Sequence, residues 1–308
     1  MATSTRHEQA AAWTPLPDQD WQPTIRSLHR WSQVVGKIRL ALAPPMNHWW
    51  QVPLYVTARG LTTSPIPYRA GVIELDFDLR DHVLALQTSD GASGAVRLRP
   101  MSVAAFYAEV TDLLRANGVD VRIWPVPTEV VDAVPFVDDT VPGGYDPDHV
   151  RALHGALVNA HRVLTVFRSG YLGKASPVHF FWGGFDLAVT RFSGRPAPRH
   201  PGGVPNCPDY VQVEAYSHEV SSGGWWPGSD GVGPSFYSYM YPEPAGFQAA
   251  MAGPTGARYD DRFREFMLPY RDVVESDDPE AAVLAFLEAT HEAGANLADW
   301  DRDRLERR

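Results

Sequence analysis

Apolar residues recur at spacings of three and four over residues 24–42, where Leu28, Trp31, Val35, Ile38 and Leu42 share one side. That spacing predicts an amphipathic helix. Pro44-Pro45 stops it, because proline supplies no backbone donor and crowds the preceding turn. The period then changes to two. Ile73, Leu75, Phe77 and Leu79 alternate with Glu74, Asp76 and Asp78, which predicts a strand with one dry and one wet face. Further strands are expected at 83–87 and 95–98. Ser102 is placed to cap a helix carrying Val103, Phe106, Val110 and Leu114, and Gly118 closes it. A strand at 121–124 completes this half.

Beyond a stretch rich in Pro, Asp and Gly, Asp146-Pro147 opens a helix, with Asp as cap and Pro in the first turn. That helix is expected to run to residue 168. A strand follows from 178, then a loop at 194–208, then strands at 210–220 and 236–241. Asp278-Pro279 opens the last helix, with Val283, Phe286, Leu287 and Thr290 on one face.

Part of the pattern occurs twice. His48-Trp49-Trp50-Gln51-Val52-Pro53-Leu54-Tyr55-Val56 leads to Pro65-Ile66-Pro67, and His179-Phe180-Phe181-Trp182-Gly183-Gly184-Phe185-Asp186-Leu187 leads to Pro196-Ala197-Pro198. The apolar positions alternate in the same frame, so each copy reads as a strand whose buried face begins at the His. The expected fold is therefore α+β: internally duplicated halves of helix, antiparallel strands and helix, with approximate two-fold pseudo-symmetry. The expected organisation is a loose N-terminal tail (1–20), a first half (21–125), a connector (126–147), a second half (148–300) and a charged C-terminal tail (301–308).

Composition narrows the function classes. A net charge of -10 argues against a nucleic-acid surface, which needs Lys and Arg against phosphates. A lone Cys207 leaves no internal disulfide and no Cys-rich zinc site. The first seventeen residues have no apolar signal core. The longest uncharged stretch, 40–58, contains Pro44-Pro45, Asn47-His48 and Gln51-Val52-Pro53, so no membrane span is expected. A cytoplasmic location is the expectation.

Candidate chemistry falls near the repeat. In a strand over 210–220, Glu214 and His218 share one face and Glu219 takes the other; a carboxylate near an imidazole orients the ring for general-base work. His218, Glu219, Glu214 and His179 are thus candidate catalytic residues. His179, Glu214 and His218 are also candidate metal ligands, three N/O donors and a water being a workable set. The aromatic clusters Trp49-Trp50, Phe180-Phe181-Trp182 and Trp225-Trp226 would wall a pocket, with Gly223-Gly224 marking a loop before the last. Lys37, Arg39, Arg59, Lys174, Arg191 and Arg195 lie near the repeat strands and suit an anionic group. His48 and Asp186 complete the ligand-binding candidates. Gly170–Ser176 resembles a phosphate loop but lacks its first glycine and runs from helix to strand, the wrong order.

The stretches Gly36-Lys37-Ile38-Arg39-Leu40, Asn47-His48-Trp49-Trp50-Gln51-Val52-Pro53-Leu54-Tyr55-Val56 and Arg59-Gly60-Leu61-Thr62-Thr63-Ser64-Pro65-Ile66-Pro67-Tyr68 carry a family resemblance. It continues through Ser176-Pro177-Val178-His179-Phe180-Phe181-Trp182, Phe185-Asp186-Leu187-Ala188-Val189-Thr190-Arg191-Phe192-Ser193-Gly194-Arg195, Glu214-Ala215-Tyr216-Ser217-His218-Glu219 and Leu268-Pro269-Tyr270. The chain resembles a bacterial family known only as a domain of unknown function (5996). The resemblance spans residues 21–300 and implies no activity, ligand or catalytic residue.

Two readings follow. One is a small-molecule-binding protein or an enzyme, of hydrolase or isomerase type with His218 as base, whose His/Glu site lies between the halves. The other is a non-catalytic interaction module using exposed aromatic loops. Neither a cofactor nor an oligomeric state is indicated by the residues.

Overall fold

A computed structural model describes residues 13–307 except Asp18, Asp230 and Ala252; most of the expected N-terminal tail lies outside the described residues. Helix α1 (Gln22–Leu42) buries Trp31, Val34, Val35 and Ile38. Short strands β1 (Tyr55–Val56), β2 (Gly60–Thr62) and β3 (Ile66–Tyr68) lead into the hairpin strands β4 (Gly71–Asp78), β5 (Val83–Thr88) and β6 (Ser93–Arg97). Helix α2 (Val103–Ala116) follows, its first turn capped by the Ser102 hydroxyl accepting from the Ala105 amide. Trp31 stacks on Phe106 with 5.0 Å between ring centroids, and Phe77 stacks on the far side of Phe106 at 6.3 Å. The alternation of β4 thus puts its dry face against α1 and α2.

The second half opens with α3 (Pro147–Ser169), capped by Asp146. It continues through β7 (His179–Phe181), β8 (Asp186–Pro196), α4 (Asp209–Ala215), β9 (His218–Trp226), β10 (Ser235–Tyr241), β11 (Arg258–Asp260) and β12 (Glu265–Pro269). Helices α5 (Tyr270–Val274), α6 (Pro279–Leu297) and α7 (Arg302–Leu305) close the chain. The fold is α+β, built on two antiparallel six-stranded sheets. One has the order β1-β2-β4-β5-β6 with β3 beside β4, and the other runs β11-β12-β10-β9-β8-β7. The sheets meet at Leu54 and Phe180, each amide donating to the other's carbonyl at 2.9 Å. Buried apolar side chains of both halves form one continuous cluster. Gly36 belongs to this seam: a Cβ there would fall inside the Trp182 indole, whose Nε1 donates to the Val52 carbonyl at 2.9 Å.

Helices α3 and α6 cover one face of the second sheet. Thr290 donates to Ser238 Oγ at 2.8 Å, and the buried His291 ring meets Ser221 Oγ at 2.9 Å. The opposite face carries small side chains in its middle. Ala188, Gly224 and Tyr237 lie in one row, Thr190, Ser222 and Tyr239 in the next, and His179 pairs with Ala188 at the edge. Irregular segments and α4, rather than long helices, lie over this face. At the other end of α3, the Leu305 carbonyl accepts from the Leu172 and Gly173 amides at 2.7 and 3.1 Å. The Arg307 amide donates to the Gly170 carbonyl at 2.8 Å. The chain's last described residues thus hold the loop that precedes Lys174.

Four expectations need correction. His48 does not open a strand: Asn47–Trp49 is a 3-10 turn with His48 and Trp49 at φ 58 and 61, since Pro44-Pro45 and Pro53 leave no room for a ladder. The two copies therefore differ in secondary structure at their first residues. Residues 121–124 are irregular; Pro125 and Pro127 deny that stretch further ladder donors. The strand expected from 210 is α4 up to Ala215, because Pro208 and Asp209 supply helix-start chemistry that overrides the alternation of Val211 and Val213. Finally, Trp225-Trp226 is no loop but the end of β9, with Gly223-Gly224 inside the strand.

Candidate functional site

The 3-10 turn at Asn47–Trp49 aims His48 inward, where it is 6% exposed. Its Nδ1 donates to the Ala215 carbonyl at the end of α4 (3.1 Å), which leaves the lone pair on Nε2. Lys174, on the loop between α3 and β7, donates its Nζ to that Nε2 at 2.7 Å. The ammonium sits over the Trp50 and Phe192 rings, 5.3 and 4.9 Å from their centroids. The His218 ring stands edge-on to His48 at 5.6 Å. Burial lowers the pKa of both Lys174 and His48, and the two lower-charge forms suit a nitrogen-to-nitrogen bond. Lys174 itself is exposed. Among the described residues no carboxylate pairs with it.

Behind Trp50 lies a second, closed group. His179 contacts Trp50 and Tyr55 at 5.7 Å each. Neither of its ring nitrogens has a hydrogen-bond partner. Burial, with Arg39 and Arg168 nearby, pushes its pKa down to about 3, so the ring is neutral. Arg39 is 7% exposed and lies over Tyr55. The Lys37 ammonium, on the neighbouring face of α1, donates to Thr128 Oγ1 at 2.8 Å and sits beside Trp124 and Trp182. Burial lowers its pKa to about 8.

At the far end of the same sheet face is an acidic corner. The buried Gln33 holds the Thr128 peptide from both sides, at 2.8 and 2.7 Å, and so sets Glu129 over the Gly183-Gly184 turn. A side chain at Gly183 would displace the Glu129 carboxylate. Asp186 accepts from the Tyr237 hydroxyl. Burial, then the neighbouring Asp186, raises Glu129 to about 7, and the same two causes raise Glu265 to about 8. Asp186 rises to about 6 through burial. Glu129 nevertheless keeps solvent contact. Glu129, Glu265 and Tyr237 escaped the sequence reading because irregular segments and mid-strand phenols give no periodic signal.

The structure thus brings together His48, Trp50 and His218, with Arg39 and His179 behind the Trp50 ring. Other candidates lie apart. Glu214 is exposed on α4, away from the strand face expected for it. Glu219 pairs with Arg195 at 2.8 Å. Arg59 is half-exposed and pairs with Asp78 and Asp81 at 2.5 and 2.6 Å. Arg191 is 1% exposed beneath the sheet, stacked on Phe167 and bridged to both Glu288 oxygens at 3.0 Å. Trp182 and Trp225 are core, Trp226 meets Phe263, and Trp49 meets Tyr210. His179, Glu214 and His218 are not gathered for a metal: among the described residues no three His, Cys, Asp or Glu side chains are so arranged, because α4 carries Glu214 off. No described helix is long and apolar enough to cross a membrane.

No curated protein and no solved structure matches the chain. The model of the family of unknown function DUF5996 matches residues 13–307, nearly the whole length read above, and the chain belongs to that family.

Proposed function

We propose that this chain is a cytoplasmic small-molecule-binding protein whose ligand presents an anionic group to Lys174 and His218 beside the Trp50 ring. One observation carries the reading. In a chain of net charge -10, the exposed Lys174 bonds to a neutral imidazole and two aromatic faces instead of to a carboxylate. An ammonium so placed retains its attraction for an anion. The aromatic clusters favour a pocket over docking loops, since Trp182 and Trp225 are buried and Trp49, Trp50 and Trp226 half-buried.

The two halves contribute jointly: His48 and Trp50 come from the first, Lys174, Phe192 and His218 from the second. A duplication with a register near 125 is part of this reading. Helices α1 and α3 begin at 22 and 147, β1 and β7 at 55 and 179, and β2 and β8 at 60 and 186. The motif register of 131 is slipped by about six residues from that spacing.

Calorimetric titration with inorganic phosphate and with pyruvate tests the site. Saturable binding lost in Lys174→Ala, with the circular dichroism spectrum unchanged, is expected. Equal binding by wild type and Lys174→Ala, or none by either, overturns it.

A further inference from the structure

The chain contains two lysines, Lys37 and Lys174, against twenty-five arginines. Every other basic position uses a guanidinium, which is never deprotonated in a protein. Charge alone does not call for lysine at 174; an amine able to give up its proton does. The surroundings supply what such an amine needs. The imidazole of His48 lies at 2.7 Å with its free lone pair turned to Nζ, and the Ala215 carbonyl holds the other nitrogen as the donor. Nucleophile, base and the group that orients the base form one hydrogen-bonded line. Trp50 and Phe192 withhold water from the ammonium, while one side of Lys174 stays open.

We propose that Lys174 is a nucleophilic amine that condenses with the carbonyl group of an anionic aldehyde or ketone to form an imine, with His48 as the base. The inference rests on the binding site proposed above and names the class of its ligand. His48 Nε2 takes a proton from the Lys174 ammonium. The freed lone pair forms the C–N bond as the carbonyl π bond opens onto oxygen, giving a carbinolamine. Nζ passes its second proton to the alkoxide oxygen, making it a hydroxyl, and the imidazolium gives its proton to that hydroxyl as it departs as water and the C=N bond forms. The sum is amine plus carbonyl to imine plus water, with no change of oxidation state. Burial lowers the lysine's pKa and so raises the share of free amine.

The test is reductive trapping on the full chain. The protein is incubated with glyoxylate or pyruvate and sodium cyanoborohydride, and the adducts are mapped by peptide mass spectrometry. Since Lys37 is 4% exposed, the competing amine is the α-amino group, which serves as the internal reference. Expected is an adduct on Lys174 forming about a hundredfold faster than on that reference, the advantage falling to near unity in His48→Gln. Lys174→Arg should keep phosphate binding and lose the adduct. Trapping no faster than on the α-amino group, while phosphate still binds to wild type and Lys174→Arg, overturns the imine proposal and leaves the binding site standing. An adduct unaffected by His48→Gln overturns the role of His48. Fast trapping without phosphate binding overturns the anion site but supports the nucleophile.

Discussion

Arg191 shows how a buried charge is kept at the scale of one residue. It is stacked on Phe167, bridged to Glu288 and donating to the Phe167 carbonyl, so its removal strands the carbonyl and empties a buried site, while the half-exposed Glu288 returns to water. Arg191→Ala should cost about 3 kcal/mol, read from the urea midpoint, and Arg191→Lys should recover only part, since an ammonium has no planar fork; an unchanged midpoint would contradict this. The acidic corner sets the pH dependence. Glu129, Asp186 and Glu265 keep protons to about pH 7, 6 and 8. The folded chain then binds more protons than the unfolded one, and their contribution to stability falls as pH rises. His29 and His179, lowered to about 4 and 3, act oppositely, removing stability as pH falls below 6.5. From pH 6.5 to 8 the carboxylates lower stability while Lys37, brought down to about 8, begins to oppose them, so the part of the melting temperature that the carboxylates supply should decline across that window. Glu265→Gln should flatten the decline; a slope unchanged by that substitution would show that Glu265 is not its source. None of this was legible from composition. Asp186 was a ligand-binding candidate from the sequence, yet its neighbour Glu129 arrives from a segment with no periodic pattern at all.

Secondary elements were readable where a cap or a strict period marked them. Ser102, Asp146-Pro147 and Asp278-Pro279 each begin a helix as chemistry requires, and the alternation from Ile73 to Leu79 places β4 and its dry face. Alternation misled where short-range chemistry outweighed it, as in α4 and at the left-handed His48 and Trp49. Long-range pairing left no local mark either. Leu54 and Phe180 bond across the seam of the two sheets although Leu54 only precedes the two-residue β1 and Phe180 lies in the three-residue β7. If the seam is continuous sheet, their amides should exchange with deuterium at rates like those of β8 and β9. Exchange as fast as in the exposed connector would mean that the sheets merely abut.

Across the whole molecule the two halves share one apolar cluster, and the site draws on both. Within the connector the stretch 131–134 is exposed, Val131 by 80% and Val134 by 46%, so a protease site placed there should be cut without separating the products. Gel filtration should then show one species of the intact 34.1 kDa; two independent peaks would make the halves autonomous domains. Lys174 enters this picture from a distance. The backbone of Leu305 and Arg307 fastens Gly170, Leu172 and Gly173, and Glu306 meets the buried His291 at 3.1 Å. In genetic terms, a stop codon just after Trp300 would leave every strand and α6 encoded yet delete the peptide groups that moor the lysine's loop. A nonsense allele at codon 301 would therefore behave as a lesion at position 174: protein present, lysine adrift.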